Sequence, residues 1–481
     1  MDAFSLGIVI LINLLSLVVA VHALLNKRDP RAALAWIIVC LALPGVGVAL
    51  YWLMGLNRIR TRARSWQHRG EGIYVPEEEE PCQSSVELRT PFHTQNYQLQ
   101  RHLSDAVTRR PLLGGNRVVP LFNGEQAYPA MLKKIRAAEY SINLSSYIFD
   151  TQFCGREFVQ ALIERARAGV EVRVLVDGLG ECYSWPRVHT LFEHTPVQVV
   201  RFLPLSLFRR GMHLNLRNHR KLLIVDGRVG FAGGMNISQR HLVQKKRNDV
   251  RPRERVVDIH FKVEGPVVRQ MLEVFQEDWQ FAGGDPFAKI HTPPCVEGPD
   301  SLCRGISAGP NEDYEKLVWI VVGALNCARK RVSIMTPYFI PDRSMVTAMN
   351  SAALRGVNIE IVLPVKNNLP YVHWASRGAF WELLEYGVKI YYQPPPFAHS
   401  KLLLMDDHYA LIGSANMDPR SQRLNFEFNL EVYDKSFNAQ MRHHFDTTVA
   451  KSRAISLEEV DSRPVWIKMR DNFFRLFTPF L

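Results

Sequence analysis

The sequence predicts an α/β protein made of two copies of one domain that share a single active site, preceded by an N-terminal transmembrane helical hairpin. Three observations carry this. A strand–helix–strand order runs twice, an octapeptide is spelled nearly the same way twice, and two long apolar runs fill the first 56 residues.

The apolar runs come first in the chain. Phe4 to Leu25 and Ala32 to Leu56 carry no charge and are each long enough to cross a bilayer core. "NKRDPR" between them allows only a tight turn. A cleaved signal peptide is the competing reading, weakened because no Lys or Arg precedes the first run and a second run comes directly after it. Trp36, Tyr51 and Trp52 suit interfacial positions, and "LPGVG" (Leu43 to Gly47) could kink the second run into a re-entrant loop. Arg58, Arg60, Arg62 and Arg64 place the downstream domain in the cytoplasm, against a weaker opposite pull from Lys27, Arg28 and Arg31. Seven cysteines, odd in number and without a C-x-x-C pair, agree with a reducing compartment and offer no structural zinc site.

Residues 57–115, with the acidic "VPEEEEP", read as a connector. The repeat comes next, with halves at 116–290 and 291–456 and an amphipathic segment at 457–481. "SINLSSYIFD", "REFVQALIERARAGV" and "EVRVLVDG" form a strand, an amphipathic helix and a strand. "RVSIMTPYFIPD", "RSMVTAMNSAALRGV" and "NIEIVLP" repeat that order. The spacing favours right-handed crossovers and parallel pairing.

Each half then reaches its octapeptide, "HRKLLIVD" (His219 to Asp226) and "HSKLLLMD" (His399 to Asp406). Both read as strands, so His219 shares a face with Lys221, and His399 with Lys401. Gly233 and Gly413 stand at equal offsets, as do Asn236 and Asn416, while Ser414 stands where the first copy has Gly234. These groups suit a phosphodiester. Two ammonium groups can hold non-bridging oxygens, Asn236, Asn416 and Ser414 add hydrogen bonds, and a neutral imidazole attacks while a protonated one acts as acid. One histidine cannot do both in one step, so the copies must meet with His219 and His399 on opposite sides of one phosphorus. Each needs a carboxylate on its second nitrogen. Glu427 is the candidate for His399, and Asp258 for His219. Asp226 and Asp406 complete the catalytic motif, although their position at a turn suits a bracing role. His213, His241 and His373 read as ordinary surface or core histidines. No H-E-x-x-H is present, and this chemistry needs no metal.

The two H-x-K-x4-D-x6-G-x-x-N motifs resemble the signature of the phospholipase D superfamily. The apolar start, "TPYFIP" (Thr336 to Pro341) and "SQRLNFEFNLE" extend the resemblance to its bacterial cardiolipin synthase branch. It implies an α/β sandwich in each half, no metal or other cofactor, and transfer of a phosphatidyl group between two phosphatidylglycerol molecules to give cardiolipin and glycerol. By the same resemblance His219 is the nucleophile, forming a phosphohistidine, and His399 the acid and base.

The expected partners are anionic phospholipid (phosphatidylglycerol, cardiolipin) and the bacterial inner membrane, not nucleic acid. A formal net charge of +12 fits such a surface. "RRGMHLNLR" (Arg209 to Arg217) and "QKKRNDVRPRER" (Gln244 to Arg255) are basic segments that could meet anionic lipid or simply be solvated. "WIKMRDNFFRLFTPFL" (Trp466 to Leu481) reads either as an interfacial helix or as one docked on the body. The acceptor alcohol is outside the motifs, so a hydrolase or another phosphatidyltransferase stays open. A membrane-anchored binding protein is disfavoured by two complete motifs.

Overall fold

The strand–helix–strand order is built twice and joined into one sheet. The computed structural model describes residues 3–27, 30–55, 95–204, 216–244, 254–286, 301–310 and 315–478. Most of the connector, the Arg58–Arg64 cluster and most of both basic segments lie outside the described residues. The N-terminal helices form one compact unit and the repeats another.

In the N-terminal unit, the helix Ala3–Asn26 is long and apolar enough to cross a membrane. The second run is interrupted at "LPGVG", where the sequence allows a kink. It is helical over Pro30–Ala42, breaks, and resumes as a short helix Val46–Leu50 and a π-helical turn Tyr51–Gly55. Thirteen helical residues reach only about 20 Å, short of a ~30 Å core. Pro44 supplies no N–H, and Gly45 takes a φ of 83° that a side chain would oppose. A Cβ on Gly47 would sit 2.4 Å from the Val39 carbonyl oxygen, so the chain doubles back there on a glycine. Ala20, Ala23, Trp36, Cys40 and Tyr51 form the apolar seam of this unit.

The body's strands in the first half are β1 (Leu113–Phe122), β2 (Ser141–Ser146), β3 (Glu171–Asp177), β4 (Gln198–Phe202), β5 (Leu222–Val225), β6 (Val229–Gly233), β7 (Val256–Val257) and β8 (Ile259–Glu264). The second half supplies β9 (Ser301–Ala308), β10 (Arg331–Met335), β11 (Asn358–Pro364), β12 (Lys389–Gln393), β13 (Phe397–Ala398), β14 (Leu402–Met405), β15 (Tyr409–Gly413), β16 (Glu427–Tyr433) and β17 (Arg453–Ile455). Fifteen of these form one sheet in the order β17-β12-β11-β10-β14-β15-β16-β9-β1-β8-β6-β5-β2-β3-β4. Outward from the β9/β1 junction, the two sides repeat in the same order as far as β12 and β4, and β17 extends the second half by one further strand. Strands β2, β3 and β4 are parallel neighbours, as are β10, β11 and β12, in agreement with the predicted parallel pairing.

Each half has its own apolar core. The helix Phe153–Arg167 sends Phe158, Ala161 and Leu162 inward in the first, and the helix Arg343–Leu354 sends Met345, Met349 and Ala352 inward in the second. The connector is not all linker. Gln95–Thr108 is a helix that buries Tyr97 in the second core, and Ser104 Oγ donates to the buried Glu431 carboxylate at 2.7 Å.

Candidate active site

Two short parallel pairings bring the motifs together across the halves. The His219 N–H donates to the Phe426 carbonyl (2.9 Å), and the Phe426 N–H donates to the Arg217 carbonyl (2.8 Å). In the other copy β13 pairs with β7, and the His399 N–H donates to the Val257 carbonyl (2.8 Å). Each motif therefore enters beside the segment that leads into the other half's carboxylate.

That crossing reverses the predicted partners. His219 Nδ1 lies 2.9 and 3.0 Å from the two Glu427 carboxylate oxygens, and His399 Nδ1 lies 2.8 Å from Asp258 Oδ2. Asp258 thus serves His399 and Glu427 serves His219, opposite to the expectation from sequence order. A carboxylate only accepts, so Nδ1 carries the proton and Nε2 is left for chemistry. Both carboxylates are fully buried, whereas the His219 and His399 side chains keep 13% and 12% exposure, enough for a reagent to reach a ring edge.

The four basic groups occupy one electrostatic neighbourhood. Burial first, then Lys221 and Lys401, hold His219 well below the usual imidazole range, with a further push from Arg420. His399 is lowered in the same way by burial, Lys401, Lys221 and His219 itself. Both rings are therefore neutral at neutral pH. The Lys221 and Lys401 ammonium groups donate back to the His219 and His399 carbonyls. Burial brings Lys221 down to about 7 and Lys401 to about 8, although Glu427 and Asp258 oppose the change. Burial raises Glu427 to about 7, against the pull of Lys221. Tyr147 stands edge-on to the His219 ring at 5.2 Å, and Tyr338 to the His399 ring at 6.5 Å.

The remaining predicted residues divide. Asp226 accepts from the N–H groups of Glu139, Tyr140 and Ser141, and Asp406 from those of Arg329, Lys330 and Arg331. Each binds the chain entering β2 or β10, at the far end of the motif strand from its histidine. They are braces, and their inclusion with the catalytic residues is corrected on that ground. Ser414 is corrected too. Its Oγ donates to Glu427 Oε2 at 2.6 Å and accepts from the Phe428 N–H at 3.0 Å, so the hydroxyl is committed to the carboxylate and not to a phosphate. Asn236 Oδ1 accepts from the Ile148 N–H at 3.1 Å, which fixes one end of its amide. Asn416 is buried beside Lys401, in the wall of a small cavity beneath β14 and β15. Gly233 and Gly413, at φ 152° and 156°, let the hairpin pass where a Cβ would strike His260 or the Phe428 carbonyl.

Arg220, inside the octapeptide itself, had no predicted role. Its guanidinium, fully buried, donates to Asp278 Oδ1 (2.5 Å) and to the Glu427 carbonyl (2.9 Å), and Asn218 Nδ2 donates to Asp278 Oδ2 (2.8 Å). The signal was present in the sequence, since Arg220 against Ser400 is the one polar difference between the octapeptides, the other two (Ile224/Leu404 and Val225/Met405) being apolar exchanges.

This duplicated geometry coincides with a family match. Residues 131–279 and 321–449 match the family described as "Cardiolipin synthase, PLD-like domain", and residues 14–55 match "Phospholipase_D-nuclease N-terminal". The chain belongs to the cardiolipin synthase, PLD-like family. A cardiolipin synthase of Geobacillus kaustophilus is 31% identical over 95% of this chain and 90% of its own length. The "Major cardiolipin synthase ClsA" of Bacillus subtilis is 30% identical over 100% of this chain and 99% of its own. Among solved structures, the phosphatidylserine synthase of Haemophilus influenzae superposes with a TM-score of 0.61 at 15% identity, over 81% of this chain and 100% of its own. That likeness concerns the fold alone.

Proposed function

We propose that the chain is a membrane-bound cardiolipin synthase that transfers a phosphatidyl group from one phosphatidylglycerol to the free hydroxyl of a second. The observation that carries this is the pair of imidazoles in one basic site, each with Nδ1 on a buried carboxylate from the opposite half. Relatives named for that activity cover nearly the whole chain.

In the first step His219 Nε2 attacks phosphorus in line as the bond to the leaving glycerol oxygen breaks. Lys221 and Lys401 take up the charge on the non-bridging oxygens. The arriving phosphodiester is anionic, so it opposes the lysines and lets His399 carry the proton that Nε2 gives to the leaving alkoxide. Glycerol departs and the phosphatidyl group stays on His219. His399 Nε2 then takes the proton of the second phosphatidylglycerol's hydroxyl, whose oxygen attacks phosphorus, releases His219 and completes cardiolipin.

The division of labour has support in the carboxylates. Glu427 accepts from Ser414 and Asn425 as well as from His219, which suits a fixed partner for a nucleophile. Asp258 accepts from His399 and from the Ile259 N–H, and with fewer donors it better stabilises an imidazolium. Within this proposal the Ala3–Asn26 helix anchors the chain in the bacterial inner membrane, and the Arg58–Arg64 cluster supports a cytoplasmic body.

The test is purified protein in phosphatidylglycerol vesicles with products identified by mass. Cardiolipin with glycerol is the expected result. Phosphatidic acid alone would make the enzyme a hydrolase, and no lipid product would overturn the proposal.

A further inference from the structure

The C-terminal helix Val465–Arg475 settles neither for docking nor for exposure, because its two faces do different things. On the inner face Phe474 joins Ile340, Val372, Ala375, Leu369 and Tyr338 in one apolar cluster. Tyr338 is the residue that stands against the His399 ring, so this helix is seated on a wall of the active site. Asp471 on the same face is buried, and Arg463, Arg377 and Arg470 neutralise it.

The outer face is apolar and uncovered. Val465, Trp466, Met469, Phe473, Leu476 and Phe477 point outward, with Trp466 64%, Met469 68% and Leu476 75% exposed. At 100° per residue they fall within about a third of the circumference, over a length of about 18 Å. Arg470 borders the stripe on one side, stacked on Trp374 at 4.4 Å, and Lys468 borders it on the other. An apolar stripe with a tryptophan at one end and cations at both margins is the pattern of a helix lying flat in a lipid interface. The only acidic side chain on the helix is turned inward, so nothing on the outer face repels anionic headgroups.

We infer that this helix is a second membrane-contact element, which lays its outer face on the anionic lipid surface and so presents the adjoining active-site wall to substrate lipids. This rests on the lipid-substrate reading above only for its purpose; the contact itself has an independent readout. A second copy of the chain fits the face less well, because a two-fold pairing would set Lys468 and Arg470 against their own copies.

The test uses the full chain reconstituted in phosphatidylglycerol vesicles whose acyl chains carry bromine. The difference in emission between wild type and Trp466→Phe reports Trp466, and the expected result is quenching by the brominated lipid. Quenching by aqueous iodide instead overturns the inference. Shielding from both quenchers also overturns it and gives the face to a protein contact. The variant Met469→Glu/Phe473→Glu is expected to lose on the order of ten-fold in vesicle activity and to keep its activity on phosphatidylglycerol dispersed in detergent micelles. Equal loss in both assays, or in neither, contradicts the inference. If wild type makes no cardiolipin while Trp466 is still quenched, the proposed function fails and the membrane contact stands.

Discussion

The two halves hold their histidines in matching ways and support them differently. In the second half the Ser414 hydroxyl donates to Glu427. In the first, Gly234 occupies that place, and a Cβ there would stand 2.5 Å from Asp258 Oδ2. The first motif is tied to the second half by Arg220, which reaches the Glu427 carbonyl while Asp278 of its own half holds it, whereas Ser400 sits at the matching position. The His219–Glu427 pair is therefore held from several sides, while the His399–Asp258 pair has a smaller hydrogen-bond set. A nucleophile gains from fixed geometry, and a group that takes and returns a proton gains from a carboxylate with unspent basicity.

The largest expected effect tests what the halves share. His219→Ala and His399→Ala should each lower turnover by about 10³-fold or more in the vesicle assay. Substantial activity in either variant breaks the shared site. A trapped acid-labile, base-stable phosphate should map to His219 by peptide mass, and label on His399 would exchange the two roles. Next come the carboxylates. Glu427→Gln and Asp258→Asn should each suppress formation of the labelled intermediate together with the glycerol released in that step, and Asp258→Asn should also slow transfer of the phosphatidyl group from His219 to the second phosphatidylglycerol, each by on the order of 10²-fold.

Exchanging the differing residues sharpens the comparison. Gly234→Ser should be the more damaging change, because the added atoms displace the Asp258 carboxylate from His399. Ser414→Gly removes the hydroxyl that donates to Glu427 and accepts from the Phe428 N–H, and should cost about 1–3 kcal/mol as Glu427 loses a buried donor. The reverse ranking in kcat would contradict the packing described. For the buried ion pair, Asp278→Ala should destabilise the fold by about 3–5 kcal/mol, and pairing it with Arg220→Met should recover part of that, read by chemical denaturation.

The smallest effect is in pH. Lys221 and Lys401 are brought to about 7 and about 8, so each loses its charge as pH rises through those values. Anionic substrate then binds less well, and kcat/KM should fall on the alkaline side of neutrality. On the acid side, proton uptake by the His219–Glu427 pair blocks Nε2 and lowers the same quantity. A profile flat from pH 6 to about 9 would show that the lysines stay charged throughout.

Much of this arrangement is legible in the chain. The repeat and the equal offsets of the two motifs are legible from period and spacing, and both carboxylates are among the candidates, whereas the strands β5 and β14 begin only after Lys221 and Lys401. Which carboxylate meets which histidine is not legible, since nothing along the sequence says that a half closes on its neighbour. The parallel bridges Asn218–Phe426 and Ala398–Val257 that decide it form only on assembly. Ser414 resembles a phosphate ligand because a hydroxyl at that offset has no other visible client until Glu427 is placed. The second apolar run is long enough by count of residues; "LPGVG" marks where it can kink, and the backbone breaks there.

The exchange of carboxylates between halves has an evolutionary corollary. A single-copy ancestor with this geometry could not have worked as a lone subunit, since its own acid would have faced a neighbour's imidazole. Such a copy would need a symmetric partner to complete its site, and carrying both copies in one chain fixes their ratio at one to one. Once fused, the twins were free to drift apart, and a glycine in one against a serine in the other records that drift.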